Sequence, residues 1–195
     1  MTARRILIID GHPDPGKGRF CHALADAYAS GARSAGHEVR RRDLCTLDFP
    51  ELTKRDDWET APAPEVIVGV QEDIAWAQHL VILYPLWLGS MPARLKALFE
   101  QTFRPGFAFG QRERTIGGGR LKGRTARVIV TMGMPALIFR GFYQAHSLKA
   151  LKRNILAFVG IGPTHCNIVG NVEGIDEVQC RQWLDKVSAL GGQAR

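Results

Sequence analysis

The sequence contains only four cysteines, Cys21, Cys45, Cys166 and Cys180, and they form neither a C-x-x-C pair nor the regular spacing of a disulfide framework. This distribution is typical of a protein from a reducing compartment. No apolar run approaches the roughly 20 residues that a membrane-spanning helix needs, and the N-terminus lacks the features of a secretory signal peptide. We therefore expect a cytoplasmic protein that does not insert into membranes.

Acidic residues are the minority among the charged ones, with 19 Asp and Glu against 26 Lys and Arg, which leaves a net charge of +7. The excess favours anionic partners in general. The basic residues are scattered, however, and no stripe of them alternates with aromatic residues, so we expect no nucleic-acid partner. In the densest cluster, Arg40 and Arg42 fit the solvated face of a strand, and a polyanion site is the alternative.

Short apolar runs alternate with helical patterns along the 195 residues, which are enough for one sizeable core. The patterns predict strands at 4–10, 37–44, 79–84, 125–133 and 164–170, helices at about 19–36, 65–77, 92–103, 142–159 and 175–190, and surface loops at 49–64 and 104–124. This order predicts an α/β fold with an open doubly wound sheet of about five parallel strands and helices on both faces. We expect a single domain over residues 1–195.

Three of the predicted strand ends carry unusual residues, and open parallel sheets bind ligands beyond the carboxyl ends of their strands. The loop "DGHPDPGKGRF" after the first strand leads into a helix N-terminus, where free amide hydrogens attract phosphate. It matches neither the Walker motif nor G-x-G-x-x-G, so an ordinary strand-to-helix loop is the alternative. His12 and Arg19 favour phosphate because both side chains can hydrogen-bond an anion.

The loops "PLWLGSMP" and "TMGMP", after the third and fourth strands, contain almost no ionisable side chains. Apolar walls with a few backbone hydrogen-bonding groups suit a flat, largely neutral ring, although Trp87 packed in the core is the alternative. Pro92 fits the first turn of the helix that follows. A phosphate site beside a ring site indicates a nucleotide-like cofactor. Because the sequence shows no obvious nucleophile, metal cluster or carboxylate pair, that cofactor would carry the chemistry.

Four segments between about residues 5 and 170 resemble, in the same order, the flavodoxin-fold NAD(P)H:quinone oxidoreductases. They are "LIIDGHPDP…FCHALADAY", the highly specific "DIAWAQHLVILYPLWLGSMPARLKALFEQTFRPGFAF", "LKGRTARVIVTMGMP" and "LKRNILAFVGIGP". The resemblance implies a flavodoxin-like fold and a bound flavin, FAD with FMN as the alternative. It also implies ping-pong hydride transfer from NAD(P)H to the flavin and then to a quinone or similar acceptor, and a homodimer whose partner completes the pocket.

The resemblance assigns site residues as well. Those near the cofactor phosphates are His12, Arg19, Phe20 and Cys21, and those around the flavin ring are Pro85, Leu86, Trp87, Leu88, Gly89, Thr131, Met132, Gly133 and Met134. The chain departs from the family at Arg19, where a small hydroxyl residue is common, and at Cys21, where Asn is frequent.

Some members of that family use a Tyr and a His after the third of these loops to move protons. Tyr143 and His146 are the local candidates for a catalytic pair here, although their spacing differs from that of the family, so a packing or solvent-facing role is the alternative. Two other functions stay open. One is a flavin-bearing regulatory subunit, such as relatives that attach to potassium-efflux systems; the other is a one-electron flavodoxin-type carrier, which the basic charge disfavours.

Overall fold

The computed structural model describes residues 2–110 and 119–194 and contains one five-stranded parallel sheet in the order β2-β1-β3-β4-β5. The strands are β1 Arg5–Asp10, β2 Glu38–Asp43, β3 His79–Pro85, β4 Thr125–Thr131 and β5 Thr164–Val169. The predicted open α/β sheet with crossover helices is confirmed, and each strand lies within one or two residues of its predicted position.

Seven α-helices lie among the described residues. They are α1 Phe20–Ser34, α2 Arg55–Glu59, α3 Glu65–Trp76, α4 Ala93–Thr102, α5 Ala136–Gly141, α6 His146–Ala150 and α7 Glu177–Gln193; a π-helical segment, Leu151–Leu156, continues α6. Helices α1 and α7 cover one face of the sheet, where strand residues such as Ile8, Val81 and Ile129 are buried. The other face carries α3 and α4 against residues such as Leu80 and Val128.

Two predicted segments differ from the structure. The stretch 49–64 was expected to be a loop but contains the short helix α2, whose sequence is too brief to show a period. The helix expected over 142–159 is present from His146 to Leu156, but it begins later than predicted: Gln144 and Ala145, both with φ of +49°, separate it from an additional helix, α5. Part of the loop predicted at 104–124, residues 111–118, lies outside the described residues.

The arginines of β2 lie on a partly solvated face, with the Arg40 side chain 48% exposed and that of Arg42 33% exposed, and they also pair within the chain. The Arg40 and Arg42 side chains both pair with the nearly buried carboxylate of Asp73 on α3, at 2.8 Å and 2.5 Å. Arg40 also lies over the Trp76 ring, with its guanidinium carbon 4.2 Å from the ring centroid. A carboxylate of this chain therefore already engages these two cations, and the alternative of a polyanion site has no support in their environment.

The order of the central strands brings the three unusual loops to one edge. Strands β1, β3 and β4 are neighbours and parallel, so their carboxyl ends lie side by side. Backbone pairing continues into the loops, since the N–H of Gly11 donates to the Leu83 carbonyl and the N–H of Leu86 donates to the Thr131 carbonyl, both at 2.7 Å. The first residue of each loop is thereby held rigidly against the neighbouring strand.

None of the helices in residues 2–110 and 119–194 combines the length and the apolar character required to cross a bilayer.

Candidate functional site

The loop after β3 forms a projecting ledge. Trp87 and Ser90 exchange two backbone hydrogen bonds of 2.9 Å, and between them Leu88 and Gly89 adopt left-handed backbone conformations with φ of +45° and +78°. This tight turn leaves the Trp87 side chain about half exposed, at 48%, and Leu88 fully exposed. Trp87 is therefore not a core residue, and the alternative drawn from the sequence is excluded. Pro92 immediately precedes α4 as its N-cap.

A cavity of about 480 Å³ opens between this ledge and the loop after β4. Its lining consists of Leu86, Leu88, Gly89, Met132, Gly133, Met134, Phe139, Tyr143, His146 and Ser147. Six of the nine predicted ring-contacting residues thus meet in one space, together with the predicted pair Tyr143 and His146, whereas Trp87 does not line this cavity. Pro85 and Thr131 are buried at the strand ends beneath it.

The loop after β1 is shaped by its own side chains. The carboxylate of Asp14 accepts the N–H of Gly16 at 2.7 Å and the Arg19 guanidinium at 2.5 Å. Nδ1 of His12 in turn accepts the N–H of Asp14 at 3.1 Å. Helix α1 then begins with Arg19 at the N-cap position. The Arg19 side chain makes no capping hydrogen bond, and the first turn contains no acidic residue.

Four amides at this helix start face no protein acceptor among the described residues; they belong to Lys17, Gly18, Phe20 and Cys21. Uncapped amides at the positive end of a 15-residue helix form a favourable anion site. The arrangement fits a phosphate group, which would contact the backbone.

The individual side chains at this loop contribute unequally. Cys21 is buried against the core, and burial together with the neighbouring Asp10 carboxylate raises the pKa of its thiol, so the thiol stays protonated and only its amide faces the loop. Arg19 is about half exposed and already pairs with Asp14. Burial and the nearby His22 lower the pKa of His12, which keeps that ring neutral. Since its Nδ1 accepts a hydrogen bond, the proton is on Nε2, which is available as a donor.

The residues present fit a flavin nucleotide. The phosphate end has the open amides of α1, and the ring end has the apolar ledge. Among the described residues no acceptor takes the amide hydrogens of Leu88, Gly89, Gly133 and Met134, so they remain available to the heteroatoms of a flat ring. The two ends are linked by His12, whose ring lies edge-on to Trp87 with centroids 5.8 Å apart.

Sequence reasoning missed three groups that organise this site. Asp10, the last residue of β1, is fully buried and accepts hydrogen bonds from the backbone N–H of His12 in the loop and from the guanidinium of Arg41 on β2. His22 and Asp14 were not assigned at all. A carboxylate at the end of an otherwise apolar strand was a usable signal, whereas the partners of His22 depend on the folded loop.

Comparisons with known proteins identify the family to which the chain belongs. The family model described as having a flavodoxin-like fold matches residues 4–190. A protein of Haemophilus influenzae named as an NAD(P)H oxidoreductase is 26% identical over 97% of this chain and 94% of its own length. An FMN-dependent NADH:quinone oxidoreductase of Ruegeria pomeroyi is 30% identical over 67% of this chain and 71% of its own.

A solved structure, the NAD(P)H:quinone oxidoreductase from Methanothermobacter marburgensis, superposes with a TM-score of 0.81 over 98% of this chain and 97% of that one, and its 22% identity supports the fold alone. Fold and relatives together define an oxidoreductase enzyme of the flavodoxin-fold class. The chain belongs to the flavodoxin-like family, and the resemblance to its NAD(P)H:quinone oxidoreductases that the sequence motifs predict is confirmed.

Proposed function

We propose that this protein is a flavin-dependent NAD(P)H:quinone oxidoreductase in which one pocket receives the reductant and the quinone in turn. The supporting observation is the convergence of an uncapped helix start, an apolar ledge and an open cavity at one edge of the sheet. A bound flavin supplies the capacity to accept and release a hydride. The cofactor we expect is FAD, with FMN as the alternative.

The contribution of the chain is to bind and to orient. The amides at the start of α1 hold the phosphate, while the left-handed turn at Leu88 and Gly89 sets the angle of the ledge. The amides of Gly133 and Met134 would donate hydrogen bonds to the ring of a bound flavin and would stabilise negative charge on it. Holding two reactants in contact is worth up to about 7–11 kcal/mol in well-aligned systems.

Tyr143 and His146 line the cavity and carry the ionisable side chains of its wall. We propose that they hold or deliver the proton that a reduced quinone oxygen requires. Both side chains are substantially exposed, so they exchange protons readily with solvent. A general acid of this kind contributes typically 10²- to 10⁴-fold to a rate.

We further propose that the protein is a homodimer. Large apolar side chains on and directly after α5, the helix that contributes Phe139 to the cavity, are exposed, with Leu137 and Phe142 both at 81%, and such clusters mark interaction surfaces. In the FRPGFAF segment Phe109 is buried against Trp58 and Phe158 of its own chain, whereas Phe107 is only half-buried and accessible to a partner. Light scattering after size-exclusion chromatography should give twice the monomer mass of 21.6 kDa.

One preparation tests the main proposal. The full chain is purified, the flavin released by denaturation is identified by mass, and NAD(P)H oxidation is measured with a benzoquinone as acceptor. We expect a yellow protein, rapid turnover and parallel lines in double-reciprocal plots, because the two substrates share one slot. Intersecting lines would exclude the shared slot. Retained flavin without turnover would favour a regulatory subunit, and a stable blue semiquinone would favour a one-electron carrier. A protein that binds no flavin would refute the proposal.

A further inference from the structure

His22 links the buried end of β1 to the loop at the proposed phosphate site. It is the third residue of α1, and its side chain is 15% exposed. Its Nδ1 lies 2.6 Å from Oδ2 of Asp10, which is fully buried, and its Nε2 lies 2.9 Å from the backbone carbonyl oxygen of Asp14. One ring therefore bridges the sheet and the middle of the loop.

This geometry requires a doubly protonated ring. A carbonyl oxygen can only accept a hydrogen bond, so Nε2 carries a proton, and a carboxylate oxygen 2.6 Å from Nδ1 requires a second proton there. Burial opposes the charge, but the hydrogen bonds to Asp10 and to the Asp14 carbonyl outweigh it and raise the pKa of His22. Below its raised pKa His22 is thus a cation, although it lies in the first turn of a helix, where cations are ordinarily disfavoured.

The hydrogen bond from His22 holds the loop after β1 at Asp14, in the middle of the loop. The carbonyl of Asp14 is held by His22, while the side chain of the same residue accepts the amide of Gly16 and the guanidinium of Arg19. These bonds define the path of the chain into α1. Resting on the function proposed above, we infer that His22 is a positioning residue: its cationic ring, anchored on Asp10, fixes the loop so that the amides at the start of α1 converge on the flavin phosphate.

If His22 acts in this way, affinity for phosphate should decrease as pH rises. The charged and titratable groups around His22, from every element packed against it, are Asp10 of β1, Arg41 of β2, Cys21 of α1, and His12, Asp14 and Arg19 of the loop. Because its pKa is raised above the usual 6.5, the cation persists below that value and is lost as pH rises through the raised pKa. Affinity for phosphate should fall as pH rises through that raised pKa.

Riboflavin and FMN separate this role from a general loss of structure, because they differ only in the phosphate. The dissociation constants of both are measured by fluorescence quenching on the flavin-stripped full chain between pH 7 and 9.5, where the FMN phosphate stays largely doubly ionised. The variants are His22→Gln, which removes the cation, and His165→Gln as a matched control, since His165 is an exposed histidine on β5.

For the wild type we expect FMN to bind about tenfold more weakly at the top of the pH range, with riboflavin unchanged. His22→Gln should show that weaker FMN binding already at pH 7 and no further pH dependence, and His165→Gln should match the wild type. Equal FMN affinity in His22→Gln and wild type, or equal changes for riboflavin and FMN, would overturn the positioning role while leaving the proposed function intact.

A second measurement does not depend on the variant folding. A nitrogen-15 NMR pH titration of the wild-type histidines should show both ring nitrogens of His22 protonated at low pH and a pKa above the usual 6.5, and a pKa at or below 6.5 would overturn the inference. A wild-type chain that binds neither flavin at any pH would instead refute the proposed function, and the positioning role with it.

Discussion

The imidazole of His12 stands edge-on to the indole of Trp87, with ring centroids 5.8 Å apart and ring planes at 84°. His12 belongs to the loop after β1 and Trp87 to the ledge after β3, so this contact joins the proposed phosphate site to the proposed ring site. An edge-on arrangement of two rings is the favourable one, and it fixes the distance between the two loops.

Replacing His12 by Ala should lower flavin affinity about tenfold, because the variant loses both the ring contact and the Nε2–H donor. Burial keeps the pKa of His12 low, so the ring is neutral at pH 7 and the loss should not vary between pH 7 and 9. The loss of flavin affinity is measured by titrating each protein with flavin and monitoring the quenching of tryptophan fluorescence. His165→Ala serves as the control, and equal affinities in the two variants would contradict the prediction.

Gly89→Ala should weaken the ledge through backbone strain alone. Gly89 has φ of +78° and nothing lies within 4 Å of an added Cβ, so the cost is that of a left-handed alanine, about 1 kcal/mol. Gly36→Ala is a matched control, since Gly36 has φ of +81°, equally open surroundings and a place at the end of α1 away from the site. Urea unfolding should give similar losses of stability for both variants, but only Gly89→Ala should reduce flavin affinity. Reduced affinity in both would trace the effect to stability.

Tyr143→Phe and His146→Gln should lower kcat with benzoquinone by at least about tenfold while flavin affinity stays within a factor of two, because both groups line the cavity beyond the ledge and general acids act on the rate. Stopped-flow measurement of the two half-reactions locates the defect, which we expect in quinone reduction. A wild-type kcat in both variants would favour the packing or solvent-facing role.

His79 should make the free energy of unfolding fall more steeply as pH decreases below 6.5. This residue is fully buried in β3, and burial, with smaller contributions from Arg127 and Arg4, lowers its pKa to about 3. Between pH 6.5 and 3 the unfolded chain binds a proton that the folded chain does not, so stability falls as pH falls, by at most about 1.4 kcal/mol per pH unit. Urea unfolding at several pH values should give a shallower slope for His79→Gln. Parallel slopes would show that other groups control acid unfolding.

Local sequence patterns were sufficient for the strands and for most of the helices. The run HLVILYP of β3 is buried at every position, and a nearly continuous apolar run is the pattern of a strand that is buried on both faces. Gly36, the last residue of the first predicted helix, adopts a left-handed conformation just beyond the end of α1. The loops at the carboxyl ends of β1, β3 and β4 could be predicted to meet because parallel order implies a common edge.

The segment after β4 could not be predicted in the same way. The sequence predicts a single helix over 142–159, but the structure has an additional helix, α5, before it, and the left-handed residues Gln144 and Ala145 separate α5 from α6. Neither residue favours that conformation intrinsically, so surrounding contacts impose it. This break brings Tyr143 and His146 into one cavity although their spacing had not suggested a pair.

The sequence by itself determined the class of fold, the edge of the sheet that carries the site and the backbone loops that form it, because these follow from periodicity and from residues adjacent along the chain. Only the tertiary structure decided how charge is distributed around them: Arg40 and Arg42 on Asp73, and His22 between Asp10 and the Asp14 carbonyl. Those pairs depend on strand register and on helix packing, which bring together side chains up to 33 positions apart. Periodicity carries no information about such partners.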